Sequence, residues 1–181
     1  IFTSDNGPTF NGGSDSPFFD SAKPFKSETG WGKCSLREGG IRVPMIACWP
    51  NHIEAGSQSD LLSAFWDMMP TMCEIAGVDC PPTDGISLLP TMLGKTKTQK
   101  KHDFLFWEYP EAGGQKAVRM GDWKAFVGKG NRKVELYNVV IDPREEHDVA
   151  SEHPEIVKKV LEIFRTEHTD PEIEKFKLPV W

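Results

Sequence analysis

Oxygen-bearing side chains follow the first apolar residues of the chain. Residues 1–3 are typical of the end of a buried strand, and Asp5 and Asn6 come directly after them in Ser-Asp-Asn-Gly. Open α/β sheets place their chemistry in the loops at this edge. Carboxylate and amide oxygens suit Ca²⁺, which takes about six to eight oxygen ligands. The pair therefore indicates part of a calcium site, although Asp-Asn-Gly is also typical of a plain turn.

A lysine among small residues and an acid–base pair follow further along. Lys33 stands in Gly-Trp-Gly-Lys, where an oxyanion has room to approach its ammonium group, and a surface lysine is the plain alternative. Glu38 and Arg42 flank two glycines, and their charges predict a structural ion pair. Residues 7–40 hold seven of the sixteen glycines, but also five large aromatic side chains. This composition predicts an ordered active-site loop.

Apolar patterns divide the first hundred residues into a strand and helices. Residues 41–50 are mostly apolar, which predicts a strand buried on both faces. Residues 60–76 carry apolar side chains at helical spacing and predict an amphipathic helix that ends at Gly77. Pro70 is expected to bend this helix or to split it into two pieces. A helical turn is expected within residues 86–92.

From about residue 100 the pattern changes to short apolar runs separated by glycine turns. An antiparallel meander is predicted by four such runs, at residues 104–108, 115–119, 123–127 and 135–138. Residues 154–168 carry an apolar stripe, so a helix is expected to cover one face of that sheet. We therefore predict two domains, residues 1–99 and residues 100–181.

Composition excludes some classes of partner. The net charge of −6 and a pI near 5.4 leave no basic face for nucleic acid. No apolar run reaches the roughly 18 residues of a membrane span. The four cysteines form no C-x-x-C pair. Cys73 and Cys80 are close enough in sequence for a disulfide in an oxidising compartment, but burial of the cysteines as small hydrophobic residues is favoured.

The order of these motifs resembles that of the sulfatase family, in the alkaline phosphatase superfamily. The matching segments run through nearly the whole chain: S-D-N-G-P, F-F-D-S, G-K, E-G-G-I-R-V-P, L-S-A-F-W-D-M-M-P-T, E-I-A-G, D-G-I-S-L-L-P, A-V-R-M-G-D-W-K, L-Y-N and D-P-R-E-E. The resemblance implies an α/β fold. It would comprise the C-terminal part of the sulfatase α/β sheet domain, then a small antiparallel sheet packed with a C-terminal helix.

The resemblance to an arylsulfatase-like enzyme also implies roles for individual residues. Asp5 and Asn6 are expected to ligate a calcium ion that holds the sulfate group, and Lys33 is expected to contact a sulfate oxygen. Glu108, in W-E-Y-P-E, is a candidate for the substrate pocket, and an exposed loop acid is the alternative. No catalytic position of the family is matched by the five histidines, His52, His102, His147, His153 and His168.

The family nucleophile is a formylglycine made from the cysteine or serine of a C-x-P-S-R motif, which this chain lacks. The sequence Cys48-Trp49-Pro50 matches only the first three positions, so Cys48 is expected to be a buried strand residue. Thr9 stands where many relatives have histidine. We expect these 181 residues alone to show no sulfatase turnover and weak or no calcium binding. We also expect uncovered sheet edges to favour self-association.

Three functions stay open from the sequence. The first is hydrolysis of sulfate esters, on a sulfated small molecule or glycan, by the intact parent with calcium and an upstream formylglycine. The second is hydrolysis of a phosphodiester or phosphonate, because phosphate and sulfate groups are similar tetrahedral anions. The third is a non-catalytic module that only binds a ligand or partner. Family precedent favours an exported or lysosomal enzyme.

Overall fold

The computed structural model describes residues 1–9, 14–111, 113–128, 130 and 133–178. The chain forms two compact units. The first contains Ile1–Thr3 and Met45–Leu105, and the second contains Ser4–Pro44 and the chain from Phe106 onward. The glycine-rich loop therefore groups with the later sheet. The predicted family domains, residues 1–99 and 100–181, stay a prediction.

The described residues contain six strands and five α-helices. In chain order they are β1 (Phe2–Thr3), α1 (Ser16–Phe19), α2 (Glu38–Ile41), β2 (Met45–Ile46), α3 (Met68–Ala76), α4 (Leu89–Met92), β3 (Leu105–Tyr109), β4 (Gln115–Met120), β5 (Trp123–Val127), β6 (Glu135–Asn138) and α5 (Pro154–Thr166). Short 3₁₀ helices occur at Phe65–Asp67, Thr96–Thr98 and Glu174–Phe176.

A four-stranded sheet forms the centre of the second unit. Its strands lie in the order β3-β4-β5-β6, and β5 pairs antiparallel with both β4 and β6. The turn at Gly121 and Asp122 sets the register, with Met120 opposite Trp123. Alternating apolar runs and glycine turns thus produce the predicted meander, and each strand lies within one residue of its expected position.

Helix α5 covers one face of this sheet. It packs against β4, and its Val160 and Phe164 side chains are completely buried. The ring of Phe164 lies 6.0 Å from that of Phe106 on β3. Val118 on β4 is also fully buried. Burial of these apolar side chains, at about 25 cal/mol per Å², holds the helix on the sheet.

The strands of the first unit differ from the sequence prediction. β1 and β2 pair antiparallel and have two residues each, whereas a longer strand was expected within residues 41–50. The side chains of Phe2 and Ile46 are 66% and 62% exposed, so the prediction of burial on both faces is wrong for these residues. An apolar run shows that a strand is suited to burial, but it does not show what covers it. Self-association through these edges stays a prediction.

Helix α3 is shorter than the predicted helix over residues 60–76. Residues 61–64 are not helical, and a 3₁₀ turn at Phe65–Asp67 leads into the α-helix at Met68. Proline lacks an N–H group and is tolerated in the first turn of a helix, where that donor is not needed. Starting at Met68 places Pro70 in that first turn. The helix ends at Gly77, whose φ of 67° is left-handed, as predicted.

A buried aspartate organises the segments around α3. Both carboxylate oxygens of Asp67 accept hydrogen bonds from backbone amides, from Ala64 at 2.8 Å and from Ile86 at 2.9 Å. The ring Nε2 of His102 lies 2.8 Å from the same carboxylate. Asp67 is completely buried, so these partners replace its hydration.

No helix among the described residues is long and apolar enough to cross a membrane.

Candidate functional site

Glycines allow two backbone segments of the second unit to lie in direct contact. A Cβ atom at Gly7 would lie 1.8 Å from the carbonyl oxygen of Gly39, and a Cβ atom at Gly39 would lie 1.7 Å from that of Lys26. The amide of Gly7 donates to the carbonyl of Gly40 at 2.9 Å. Only glycine fits such close backbone approaches. These glycines therefore fasten the turn after β1 to the segment of residues 26–40.

Replacing Gly39 tests this packing. Gly39→Ala places a methyl group on a backbone oxygen and is expected to lower the free energy of unfolding by about 1–3 kcal/mol. Urea denaturation followed by tryptophan fluorescence measures the change. Ser151→Ala, in an exposed turn, is the control and is expected to leave stability unchanged. Equal stability of both variants would show that the two segments are not held by this contact.

The turn after β1 leaves ligand oxygens available. The Asn6 side chain donates from Nδ2 to the carbonyl of Gly7 at 2.9 Å, and Ser4 Oγ donates to the carbonyl of Asn6 at 2.9 Å. The Asp5 carboxylate is exposed and makes no hydrogen bond or ion pair with the described residues. The Oδ1 atom of Asn6 likewise has no partner there. Two hydrogen bonds within the turn hold its conformation, and the metal-binding role of the pair stays a prediction.

Lys33 lies on the segment that contacts this turn. Its backbone amide donates to the carbonyl of Pro8 at 2.9 Å, two residues after Asn6. Its exposed side chain lines a cavity of about 240 Å³. The other residues of the cavity wall are Pro8, Thr9, Glu28, Thr29, Gly30, Gly32 and Cys34. The structure thus brings Lys33 and the Asp5–Asn6 turn onto adjoining segments, and contact of Lys33 with a sulfate oxygen stays a prediction.

The cysteines are more exposed than predicted. Cys34, Cys48 and Cys80 are exposed and Cys73 is half-buried, so burial as small hydrophobic residues is wrong for the first three. All four are free thiols. Cys48 lies just after β2, whose own residues Met45 and Ile46 are also exposed.

One of these thiols contacts the sheet. Cys34 has a φ of 67° and lines the cavity beside Lys33. A hydrogen bond to Cys34 and partial desolvation raise the pKa of Tyr109 to about 12. The Tyr109 hydroxyl also lies 3.4 Å from Glu111 Oε2. Tyr109 is therefore a neutral hydrogen-bonding group at physiological pH. Its contact with Cys34 connects β3 to the loop that lines the cavity.

A buried ion pair anchors the helix that follows the loop. Lys124 Nζ on β5 lies 3.0 Å from Glu38 Oε1 on α2, with side chains 0% and 5% exposed. Arg42 pairs with the second Glu38 oxygen at 3.2 Å, which confirms the predicted ion pair. Burial opposes ionisation of Glu38, but the charges of Lys124, Arg119 and Arg42 outweigh it and lower the pKa of Glu38. Glu38 is therefore ionised in the folded protein.

A second carboxyl group caps the same helix. Glu145 Oε2 accepts a hydrogen bond from the backbone amide of Glu38 at 2.9 Å. The pKa of Glu145 is raised, mainly because the carboxyl group is buried. The nearby charge of Lys124 lowers this pKa, but it offsets the effect of burial only in part. The pKa of Glu38 is therefore lowered, whereas the pKa of Glu145 is raised. This contact fixes the start of α2 to the segment after β6.

Arg37 connects the loop to the sheet through ring stacking and an ion pair. Its guanidinium lies 4.1 Å from the ring centres of both Trp31 and Phe126 and pairs with Glu135 at 2.5 Å. The Tyr137 hydroxyl donates to the same carboxylate at 2.6 Å. A stacked, ion-paired guanidinium is a specific geometry that lysine does not reproduce. Sequence reasoning missed this residue, because its hydrogen-bond partners Glu135 and Tyr137 lie about a hundred positions away.

The structure places Glu108 in an ion-pair cluster. Its Oε1 atom lies 2.7 Å from Lys116 Nζ on β4 and 2.7 Å from His168 Nδ1, after α5. His168 Nε2 lies 3.2 Å from Asp170. These contacts tie the segment after α5 to the sheet. The predicted contact of Glu108 with substrate stays a prediction, and His168 is a structural residue that the sequence did not indicate.

Within the described parts of the chain, no three histidine, cysteine, aspartate or glutamate side chains form a group that could hold a metal ion. Asp5 and Asn6 would supply two of the about six to eight oxygen ligands that calcium takes, so an ion at this turn would need further ligands.

Comparison with known proteins decides the family. The family model for the C-terminal region of N-sulphoglucosamine sulphohydrolase matches residues 27–169. The chain belongs to this sulphohydrolase C-terminal family. The match covers α2, the four-stranded sheet and α5, and it includes Lys33. The sulfatase resemblance and the fold expected from it are thereby confirmed.

Relatives with curated names are sulfatases. Human arylsulfatase A is 37% identical over 128 residues, which cover 69% of this chain and 24% of the relative. The N-acetylgalactosamine-6-O-sulfatase of Bacteroides thetaiotaomicron is 28% identical over 187 residues, covering 93% of this chain and 36% of the relative. The chain thus spans about a quarter to a third of the length of these relatives.

Solved structures share the family fold. The crystal structure of Ps i-CgsB matches with a TM-score of 0.71 and 28% identity, over 89% of this chain and 34% of that chain. A protein solved in complex with its substrate, D-glucosamine-2-N,6-O-disulfate, matches with a TM-score of 0.62 and 26% identity. That match covers 75% of this chain and 30% of the other.

Proposed function

We propose that the complete protein carrying this chain hydrolyses sulfate esters, with a sulfated sugar as the substrate class. The observation that carries the proposal is the position of Lys33 in a cavity, on a segment packed against the Asp5–Asn6 turn, in a member of a sulphohydrolase family. The named relatives support it, because one acts on N-acetylgalactosamine 6-O-sulfate groups by name and another was solved with a disulfated glucosamine.

The residues at the turn fit a calcium ion in part. The exposed Asp5 carboxylate and the Oδ1 atom of Asn6, which has no partner among the described residues, are the oxygen donors that a hard cation prefers. A bound calcium ion would supply positive charge next to the sulfate oxygens. Asp5 and Asn6 would hold it together with ligands from elsewhere in the protein.

The chain's own residues would act mainly through electrostatics. Lys33 would donate hydrogen bonds to a sulfate oxygen, and its charge would stabilise the negative charge that builds up on the transferring group. The glycine contacts at Gly7 and Gly39 hold the two segments in a fixed relation, so little reorganisation is needed on binding. The nucleophile would be the family formylglycine. Because no C-x-P-S-R motif occurs in these 181 residues, we expect no turnover from them alone.

Replacing Lys33 tests the proposed role directly. In the complete protein, Lys33→Ala is expected to lower kcat/KM for 4-nitrophenyl sulfate by roughly a hundredfold, because one preorganised charge on the transferring group is lost. Lys159→Ala is a matched control, since it removes an exposed lysine from α5. Its kcat/KM is expected to equal that of the unmodified protein. A loss of less than twofold for Lys33→Ala would rule out contact with the sulfate group.

A further inference from the structure

The cavity beside Lys33 has a second charged side chain in its wall. Glu28 lines it together with Thr29 and Gly30, on the same loop as Lys33. The backbone amide of Trp31 donates to the carbonyl of Glu28 at 2.8 Å, which forms a tight turn between the two charged residues. The cavity therefore presents a cation and an anion at separate positions rather than a uniformly positive surface.

The Glu28 carboxylate is only weakly neutralised. Within the described residues, its one ion pair is to Arg144, at 3.9 Å, with side chains 51% and 43% exposed. Arg144 is closer to a different carboxylate, that of Glu146, at 3.1 Å. An exposed pair at such a distance contributes little. Most of the negative charge of the Glu28 carboxylate at the cavity is therefore not compensated by Arg144.

The size and lining of the cavity suit a small polar group. Its volume of about 240 Å³ is below the roughly 300–1,000 Å³ of pockets for drug-sized ligands, so one sugar unit is an appropriate occupant. Carboxylate and hydroxyl oxygens of Glu28 and Thr29 accept hydrogen bonds from sugar hydroxyl or amino groups. A second sulfate group offers only acceptor oxygens and negative charge, so it has no favourable partner at Glu28.

We infer that this cavity is the subsite for the alcohol portion of the substrate, and that Glu28 is a specificity residue that favours hydroxyl or amino groups there and disfavours a second sulfate group. The inference rests on the proposed function, which places the reacting sulfate at Lys33. Two unit charges in a partly exposed site interact strongly enough to change affinity about five- to tenfold. Salt screens this repulsion, because the Debye length is about 8 Å at 0.15 M.

Competitive inhibition of 4-nitrophenyl sulfate hydrolysis by the complete protein tests the inference. The two inhibitors are N-acetylglucosamine 6-sulfate and D-glucosamine-2-N,6-O-disulfate, which differ by an acetyl or a sulfate group on the same nitrogen. Glu28→Gln is expected to lower the inhibition constant of the disulfated sugar about five- to tenfold relative to that of the monosulfated sugar. This change in the ratio of inhibition constants is expected to become smaller when the salt concentration is raised from about 0.05 to about 0.5 M.

Asp20→Asn is the matched control. Asp20 lies on the same loop, its one ion pair within the described residues is also 3.9 Å long, to Lys23, and it does not line the cavity. The substitution Asp20→Asn makes the same change in net charge as Glu28→Gln, and it is expected to leave the ratio of the two inhibition constants unchanged.

Each outcome separates the inference from the function on which it rests. No hydrolysis by the unmodified protein would contradict the proposed function and the inference together. Hydrolysis that neither sugar inhibits would overturn the inference alone. An unchanged ratio in Glu28→Gln would do the same, and so would an equal shift in Asp20→Asn, because a general charge effect would then explain the result.

Discussion

Lys124→Met is expected to lower the free energy of unfolding by about 3–5 kcal/mol. Lys124 is completely buried, and its ammonium group is 3.0 Å from the buried Glu38 carboxylate. Removing the lysine leaves Glu38 as a buried charge with Arg42 as its remaining close ion-pair partner, 53% exposed, on the other carboxylate oxygen. Urea denaturation at pH 7 measures the loss. Arg165→Met breaks an ion pair on the exposed face of α5 and is expected to cause no measurable change.

The double variant separates the ion pair from general core damage. Glu38→Gln with Lys124→Met removes both charges, so it is expected to cost less than the sum of the two single changes. Additive losses would show that the two groups do not interact.

The loss in Lys124→Met is also expected to depend on pH. The pKa of Glu38 is lowered in the folded protein, so its contribution to stability is present above its unfolded pKa of about 4.3 and is lost as pH falls through the folded value. Without Lys124, burial favours the protonated form. The difference in stability between the unmodified protein and Lys124→Met is therefore expected to narrow as pH is lowered from 7 towards 3. A difference that stays constant over this range would contradict the assignment.

Asp67→Ala is expected to lower the free energy of unfolding by about 3–5 kcal/mol. The Asp67 carboxylate accepts two backbone amides and contacts His102, and all of these lose their partner at once. Thr71→Val is a smaller, nearly isosteric change next to it. It removes a hydrogen bond to the Asp67 carbonyl and one from the Leu88 amide, so a loss of about 1–2 kcal/mol is expected.

Asp79→Ala is the control for this cluster, because Asp79 is exposed in the same unit. Its midpoint of urea denaturation is expected to match that of the unmodified protein. Similar midpoints for Asp67→Ala and Asp79→Ala would show that the three bonds to Asp67 do not stabilise the fold.

The sequence predicted the sheet well because its signals are local. The strands from β3 to β6 alternate with glycine turns, and α5 carries a single apolar stripe, so each element is specified by neighbouring residues. The helix around Pro70 was predicted too long, because apolar spacing continues upstream of the point where proline forces the α-helix to begin. The strand at β2 was expected to be buried, and what covers a strand is not encoded in the strand itself.

Residues of the candidate site could be predicted only where they belong to a sequence motif. Lys33, Asp5 and Asn6 came from the resemblance to the sulfatase family, since a lone lysine or an Asp-Asn turn is common in any protein. Asp67, Arg37 and Glu108 each have a partner far away along the chain, at 35, 98 and 60 residues respectively. No local spacing indicates such pairs, so the buried charges that position the loop required the structure.

The most direct test of the proposed function compares three esters as substrates of the complete protein. The measurement is the ratio of kcat/KM for 4-nitrophenyl sulfate to that for 4-nitrophenyl phosphate and bis(4-nitrophenyl) phosphate, under matched conditions with calcium. We expect sulfate release to be the fastest of the three, and to be strongly reduced in Lys33→Ala. Faster release from either phosphate ester would favour a phosphohydrolase, and no sulfate release at all would contradict the proposal.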